Sequence, residues 1–317
     1  MLAREYIKTL LLMLTIIFTS TFIYAYYYSK FYPIPISHRI SLDAKLMFIR
    51  DFSNKDQIDT IIIGSSMGLN NLHGDTLLKS SKHIDNLLNI SAFSLGVSQW
   101  EYLWKFIGLF PNLKRIIYST QSLDFTNDRT FQEFSLDFAI DYTKLGKNGT
   151  NPRYIFYTFK NLISVLQRNW EWKEKFMSNN KYTYLGFDNT GGINLQIYGN
   201  DIDPKKWNDV YAVETTSESY QSLSRLIENS KTKHIEFYVI VQPYRKELIQ
   251  NNTNLRRIVQ DYQNRLKSAV KCSGGKYLNL DKKLKLSDEY FVDRIHLNDK
   301  GNVITAHEVA NFIDQSE

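Results

Sequence analysis

Two kinds of apolar pattern divide the chain. Residues 9–29 carry no charged side chain, and this run is about as long as a helix that crosses a bilayer. Further along, shorter apolar runs rich in β-branched and aromatic residues are typical of buried strands. These runs are Ile58–Ile63, Leu87–Phe93, Arg115–Thr120, Ile235–Val241 and Lys276–Leu280.

Helix-length segments separate the five runs. Parallel neighbouring strands need a crossover connection, which is usually a helix, so this alternation predicts an α/β fold. We therefore expect a five-stranded parallel sheet with helices on both faces, in three layers. The candidate helices include Glu101–Phe110, Ser217–Ser230, Leu255–Ala269 and a last helix that Asn298 can cap, and the segment Leu69–Leu78 is expected to start as a helix.

The first apolar run predicts one N-terminal transmembrane helix, residues 1–29. Arg4 and Lys8 precede the apolar run, and Tyr24, Tyr26, Tyr27 and Tyr28 lie at its far end, as an aromatic belt would at the far interface. Positive charge on the short N-terminal side keeps that end in the cytoplasm, so the main domain lies outside, in a periplasm or extracellular. The alternative is a cleaved signal peptide, but its apolar region is typically shorter and small residues precede its cleavage site.

The remainder of the chain divides into a connector and a large domain. Residues 30–57, punctuated by Pro33 and Pro35, predict an extended stalk. Residues 58–317 form the large domain, and about 122–216 fit none of the strand–helix units. We interpret this interval as an inserted cap near the carboxyl ends of the strands. Its aromatic side chains could stack on sugar rings, although packing within the insertion explains most of them.

Composition narrows the function classes. With 317 residues, 43% of them hydrophobic, the chain can bury a sizeable core, and its single cysteine, Cys272, excludes an internal disulfide. The net charge of +6 favours an anionic polymer or a lipid surface as partner, while the absence of a dense basic tract argues against nucleic acid. The histidines show no metal-ligand spacing, so we expect neither a metal nor a cofactor.

Two short sequences carry candidate chemistry. Gly64-Ser65-Ser66 follows the first strand, where a serine hydroxyl, free backbone N–H groups and a helix dipole would meet. Ser66 is the candidate nucleophile and Ser65 the competing choice; taken alone, the motif also fits an ordinary serine-capped turn. Asp293 and His296 lie three residues apart before the last helix, so one turn could present both toward the serine.

These residues resemble the SGNH (GDSL-like) hydrolase superfamily, whose first block carries Gly-x-Ser and whose last block carries Asp-x-x-His. The resemblance implies a flavodoxin-like three-layer fold. Ser65 stands where the better-known branch has Asp. The Gly-Ser-Ser form is similar to the membrane-anchored branch associated with cell-surface polysaccharide O-acetylation, including that of alginate and peptidoglycan, and with teichoic-acid D-alanylation.

The resemblance also implies residue roles. Ser66 would be the nucleophile, His296 the general base and then acid, and Asp293 the orienting carboxylate. Gly96 matches the second block, whose glycine amide joins the Ser66 amide in an oxyanion hole; a plain turn after the second strand is the alternative. The third block, Gly-x-Asn-Asp, is missing, and at that place Gln121 is either an oxyanion donor or a surface glutamine.

The expected function is a membrane-anchored, extracytoplasmic serine acyltransferase. It would pass an acyl group, with acetyl expected, through acyl-Ser66 to a cell-surface polysaccharide. The triad of Ser66, His296 and Asp293 would not by itself select the acceptor, so a carbohydrate esterase (deacetylase) is an alternative. The missing third block favours a second alternative, a catalytically silent polysaccharide-binding or assembly factor. A polytopic membrane acyl-transfer protein is expected as partner, since one anchor helix offers no path for an acyl group.

Overall fold

The computed structural model describes residues 2–126, 130–147, 149–177, 181–210 and 212–316. The chain forms two compact units. One, here the N-terminal unit, comprises Met1–Ser53 and Gln132–Ser178; the other, here the sheet unit, comprises Asn54–Phe131 and Asn179–Glu317.

The sheet unit is built on a five-stranded sheet in the order β2-β1-β3-β4-β5, and every neighbouring pair is parallel. This is the flavodoxin-like strand order, so the predicted fold class is confirmed. The predicted strands agree with the observed ones to within a few residues at each end. The strands are β1 (Thr60–Gly64), β2 (Leu87–Asn89), β3 (Arg115–Thr120), β4 (Glu236–Val241) and β5 (Lys276–Asn279).

Helices connect the strands and build most of the N-terminal unit. In chain order the α-helices of the described residues are α1 (Leu2–Phe31), α2 (Ile40–Asp51), α3 (Ser66–Asn70), α4 (Gly74–Ser80), α5 (Val97–Tyr102), α6 (Leu136–Thr143), α7 (Pro152–Lys160), α8 (Leu162–Met177), α9 (Pro204–Asn208), α10 (Ser217–Thr232), α11 (Lys246–Asn251), α12 (Thr253–Ser273), α13 (Leu280–Lys283) and α14 (Asp299–Ser316).

Helices cover both faces of the sheet. Successive strand residues point to opposite faces, so Ile117 and Tyr238 join a core with α4 and α14, while Tyr118 and Phe237 lie on the other face. There the ring of Tyr118 packs on Phe125, which also contacts aromatic rings of α10 and α12. The unit therefore has the three layers that the sequence predicts.

Two of the predicted helical segments differ most from the structure. The segment Leu69–Leu78, which was expected to start as a helix, contains the end of α3, a short turn and most of α4. In place of Glu101–Phe110, α5 ends at Tyr102 and a 3₁₀ helix continues over Leu103–Leu109. Tighter 3₁₀ turns are common where a helix ends, and Pro111 bars any continuation.

The N-terminal unit differs from the predicted stalk. Helix α2 lies within residues 30–57, and its Arg50 side chain is buried, donating to the Tyr142 hydroxyl and the Ser29 carbonyl at 2.8 and 3.2 Å. Asp43, also on α2, is buried and pairs with Arg168 of α8 at 3.0 Å. These contacts fold α2 into a core, and residues 54–57 belong to the sheet unit, so residues 30–57 do not form an extended connector.

The insertion is also divided differently from the expectation. Its helices α6, α7 and α8 belong to the N-terminal unit, whereas residues 179–216 belong to the sheet unit. A single cap over 122–216 therefore does not describe it. The contacts that divide it join residues more than 90 positions apart, such as Arg50 and Tyr142, and no local pattern reveals them.

We predict that Gly64→Ala destabilises the sheet unit by about 2 kcal/mol or more. Gly64 has φ +145, and an added Cβ would lie 2.4 Å from the Ser119 carbonyl oxygen. Gly108→Ala is the matched control, because its Cβ would meet nothing within 4 Å. Chemical denaturation followed by circular dichroism measures both; equal midpoints for the two variants would contradict the prediction.

Candidate active site

Ser66 lies at the junction of β1 and α3. The strand ends at Gly64, whose left-handed backbone brings the chain close to β3 and turns it into the helix. Ser65 caps α3, its Oγ accepting a hydrogen bond from the Met67 amide at 3.2 Å. Ser66 is thus the first residue of a helix that begins at the carboxyl end of a central strand.

The two serines of the motif have different surroundings. Ser65 is buried, and besides capping the helix its hydroxyl is hydrogen-bonded to the Asp124 carboxyl group. Ser66 is partly exposed and lines a cavity. Since Ser65 already has two partners, Ser66 is the better placed of the two to react with a ligand.

Asp293 and His296 are held together by a tight turn. An antiparallel bridge between Phe291 and Leu297 closes the turn, and the Asp293 Oδ1 atom accepts from the amides of Ile295 and His296 at 2.9 and 2.8 Å. The other carboxylate oxygen, Oδ2, lies 2.7 Å from His296 Nδ1. The spacing of three residues therefore places the carboxylate against the imidazole, as the sequence predicts.

This turn determines the tautomer of His296. Burial alone would raise the pKa of Asp293, but the charge of His296 and the hydrogen bonds from His296 and the Ile295 amide lower it to about 2. The carboxylate is therefore ionised at neutral pH and accepts the Nδ1 proton, which leaves the lone pair of a neutral imidazole on Nε2. Nε2 is buried and has no hydrogen-bond partner among the described residues.

Asn71, just after α3, connects the serine helix to the histidine turn. Its Nδ2 donates to the Ile295 carbonyl at 2.9 Å, and its Oδ1 accepts from the Leu297 amide at 3.0 Å. These two bonds hold the backbone on both sides of His296 against the helix that begins at Ser66. Sequence reasoning missed Asn71, because a single asparagine after a helix is also typical of a plain cap.

Ser66 and His296 line one cavity of about 400 Å³ at the carboxyl edge of the sheet. Parallel α/β sheets place their ligand crevices at this edge. Asp293 lies behind the histidine and does not line the cavity. The lining residues are Ser65, Ser66, Met67, Ser94, Gly96, Gln99, Gln121, Leu123, Asp124, Thr126, Thr130, Arg294, Ile295 and His296.

Gly96 and Gln121, the two candidate oxyanion donors, both line this cavity. Gly96 precedes α5, and a Cβ there would lie 2.6 Å from the Asp124 carbonyl oxygen, so only glycine fits without displacement. Gln121 is buried, and its Nε2 donates to the Pro243 carbonyl at 3.0 Å. The surface alternative for Gln121 is therefore wrong, and the second Nε2 hydrogen is left for another acceptor.

Asp124 is a carboxyl group of the cavity that the sequence analysis did not identify. Burial raises its pKa to about 6, against the opposing effects of its hydrogen bonds to Ser65, the Gln121 amide and Thr120 and of the charge on His296. The spacing Gln121-x-x-Asp124, just after the third strand, is a sequence signal for the contact between the Asp124 carboxyl group and the Gln121 amide. A side chain three residues into a helix commonly bonds the backbone of the capping residue.

Metal ligation is a separate question. Within the described ranges, no group of three or more His, Cys, Asp or Glu side chains is arranged to hold a metal ion. The fold and the cavity together define an α/β protein with a serine and a histidine–carboxylate pair at the carboxyl edge of a parallel sheet.

No protein-family model matches the chain, and no curated protein sequence is significantly similar to it. Solved structures with similar chain paths include a protein described as a putative lipolytic protein of the G-D-S-L family from Desulfitobacterium hafniense, with 10% identity, 81% of this chain and 99% of that chain covered and a TM-score of 0.42.

Two further structures are similar to a comparable extent. An acetylxylan esterase from Geobacillus stearothermophilus has 11% identity, 81% and 94% coverage and a TM-score of 0.42. A putative acylhydrolase from Bacteroides fragilis has 11% identity, 86% and 92% coverage and a TM-score of 0.39. At such identities and scores, the likeness says nothing about the activity of this chain.

We predict that Asp293→Asn lowers the free energy of unfolding by about 2 kcal/mol at pH 7. Because folding depresses the pKa of Asp293 from 3.8 to about 2, its stabilisation is fully present above the ordinary value and is lost as pH falls through about 2. The difference between wild type and variant should therefore shrink between these values in denaturant titrations. Exposed Asp85→Asn is the control, and a difference that does not vary with pH would contradict the account.

Proposed function

We propose that this protein is a membrane-anchored, extracytoplasmic serine acyltransferase that modifies a cell-surface polysaccharide through an acyl-Ser66 intermediate. Acetyl is the proposed acyl group. One observation supports the proposal above all others: an ionised carboxylate 2.7 Å from His296 Nδ1 leaves Nε2 free as a base, and His296 lines the same cavity as Ser66.

The first half-reaction would transfer the acyl group to the enzyme. Ser66 Oγ attacks the carbonyl carbon of the donor as His296 Nε2 takes the hydroxyl proton. The tetrahedral adduct then breaks its bond to the leaving group, which receives that proton from Nε2, and acyl-Ser66 remains. Asp293 stays ionised throughout and stabilises the imidazolium that forms between the two proton transfers.

The oxyanion of the adduct needs hydrogen-bond donors. The backbone amides of Ser66 and Gly96 are the proposed pair, and the free hydrogen of Gln121 Nε2 is the proposed third donor. Losing one such donor typically costs about a hundred- to thousandfold in rate. Gln121 would thus take the place of the asparagine that the resembling family carries in its third block.

The second half-reaction would release the acyl group. A polysaccharide hydroxyl attacks the acyl-Ser66 carbonyl, His296 takes its proton, and Ser66 leaves as the hydroxyl after reprotonation. Water in the same place would make the protein an esterase. A donor made in the cytoplasm must cross the membrane, so a polytopic membrane protein is the proposed supplier of the acyl group.

Helix α1 has the length and composition of a membrane anchor or of a signal sequence. Its packing favours the anchor. Ala25 and Tyr28 are buried in the N-terminal unit, and the carbonyls of Ser29 and Lys30 accept from the buried Arg50 side chain. Cleavage after the apolar run would remove Ala25, Tyr28 and Ser29 from the core and take from Arg50 its acceptor at the Ser29 carbonyl.

We predict that a fluorophosphonate labels the full-length protein in detergent at Ser66, as mapped by peptide mass. Ser66→Ala should abolish labelling, and His296→Ala should slow it by about ten-thousandfold, since the hydroxyl then lacks its base. Ser65→Ala is the matched control and should retain labelling at Ser66. Label on Ser65, or none under conditions that modify a known serine esterase, would contradict the proposal; the second result would favour the silent binding factor.

We also predict that acyl-Ser66, formed from p-nitrophenyl acetate, passes its acetyl group to added oligosaccharide faster than to water. Mass spectrometry of the oligosaccharide and release of acetate measure the two outcomes, with Ser66→Ala as the blank. If added oligosaccharide leaves the rate of acetate release unchanged, and the protein also deacetylates an acetylated polymer, the esterase alternative is the correct one.

A further inference from the structure

Among the described residues, the largest group of exposed apolar side chains outside α1 lies on the helical hairpin α7–α8 of the N-terminal unit. Ile163, Leu166 and Trp170 follow each other on one face of α8 and are 75%, 50% and 68% exposed, and Phe156 of α7 is 52% exposed. The opposite face of α8 carries Val165 and Arg168 and is buried. An apolar face of this kind on a folded unit marks an interaction surface.

The hairpin packs on α1 at a level that the bilayer would occupy. The ring of Phe159 contacts Phe18 at 5.2 Å, and that of Phe156 contacts Phe22 at 6.0 Å. Measured from Lys8, the last charge before the apolar run, Phe18 and Phe22 lie about 15 and 21 Å along the helix. Both distances are shorter than the hydrocarbon thickness of about 30 Å.

The connection between the two helices suits an apolar medium. Only Asn161 separates α7 from α8, its amide donates to the Tyr157 carbonyl at 3.0 Å, and its carbonyl accepts from the Val165 amide at 2.9 Å. The Asn161 side chain also donates to the Tyr157 carbonyl at 2.8 Å. Backbone groups that are bonded within the hairpin avoid the cost that unpaired ones would have in lipid.

The second half of α8 lies at the level of the outer membrane–water interface. Asn169 Nδ2 donates to the Tyr24 hydroxyl at 3.2 Å, and Tyr24 lies about 24 Å along α1 from Lys8, close to the outer boundary. The neighbouring Trp170 is exposed there, as the aromatic residues of a membrane belt are. Lys173 and Glu174 follow on the outer side, where charged groups remain in water.

We propose that the α7–α8 hairpin inserts into the outer-facing leaflet beside α1, with lipid acyl chains as the occupant of its apolar face. This rests on the anchor role proposed above for α1. The N-terminal unit would thereby be fixed to the membrane at two places, which sets its height and rotation above the lipid.

Spin-label accessibility tests the proposal on the full-length chain in phosphatidylcholine–phosphatidylglycerol vesicles without a partner protein. In a Cys272→Ser background, nitroxides are attached at Ile163→Cys on the hairpin, Leu14→Cys on α1 and Glu174→Cys on the charged end of α8. Because Ile163, Leu14 and Glu174 are exposed, the substitutions leave the core intact; circular dichroism checks this.

We expect the Ile163 and Leu14 labels to collide with oxygen at least threefold more than with a water-soluble nickel chelate, and the Glu174 label to show the reverse. A Leu14 label in lipid with an Ile163 label that behaves like Glu174 would overturn hairpin insertion and leave the anchor standing. Water exposure at Leu14 and Ile163 would overturn both. An Ile163 label shielded from both reagents would show that protein, such as a second copy, covers the face, and this also overturns the lipid proposal.

Discussion

The hydrogen bond between the Asp293 carboxylate and His296 Nδ1 decides what the cavity can do. A buried carboxylate is costly unless it is paired, and here the imidazole and two backbone amides of the same turn satisfy it. Because Nδ1 is occupied, the remaining lone pair of the ring is on Nε2. The same three hydrogen bonds therefore stabilise the turn and select the tautomer whose lone pair is on Nε2.

The turn can perform this role only if it is fixed to the element that carries the serine. Asn71 makes that connection with two hydrogen bonds across more than 220 positions of sequence. Sheet order makes it possible for the histidine turn to approach the helix that begins at Ser66. Strand β1 is an inner strand, and the chain returns past it just before α14, which packs on the same face of the sheet as α4. Displacing Asn71 would separate His296 from Ser66 without altering either side chain.

Local patterns predicted the sheet and part of the site. The bounds of β3 agree residue for residue, because an apolar run between polar segments has few alternatives, and three-residue spacing was enough to predict the Asp293–His296 contact. The burial of Gln121 and the role of Asn71 were not predictable, since each depends on a carbonyl or amide more than 100 positions away. The bounds predicted for the insertion do not match the structure for the same reason. They depend on contacts such as the one between Asp43 and Arg168, which forms only in the folded unit.

The Asp293 carboxylate places the proton of the neutral His296 ring on Nδ1, so the lone pair of that ring is on Nε2. Nitrogen-15 NMR of the histidine side chains in the full-length protein at neutral pH, with His296→Gln to assign the signal, tests this directly. We predict that the neutral form of the ring is protonated at Nδ1, with a strongly deshielded Nδ1 proton that Asp293→Asn removes. A ring protonated at Nε2, with Nδ1 free, would contradict it.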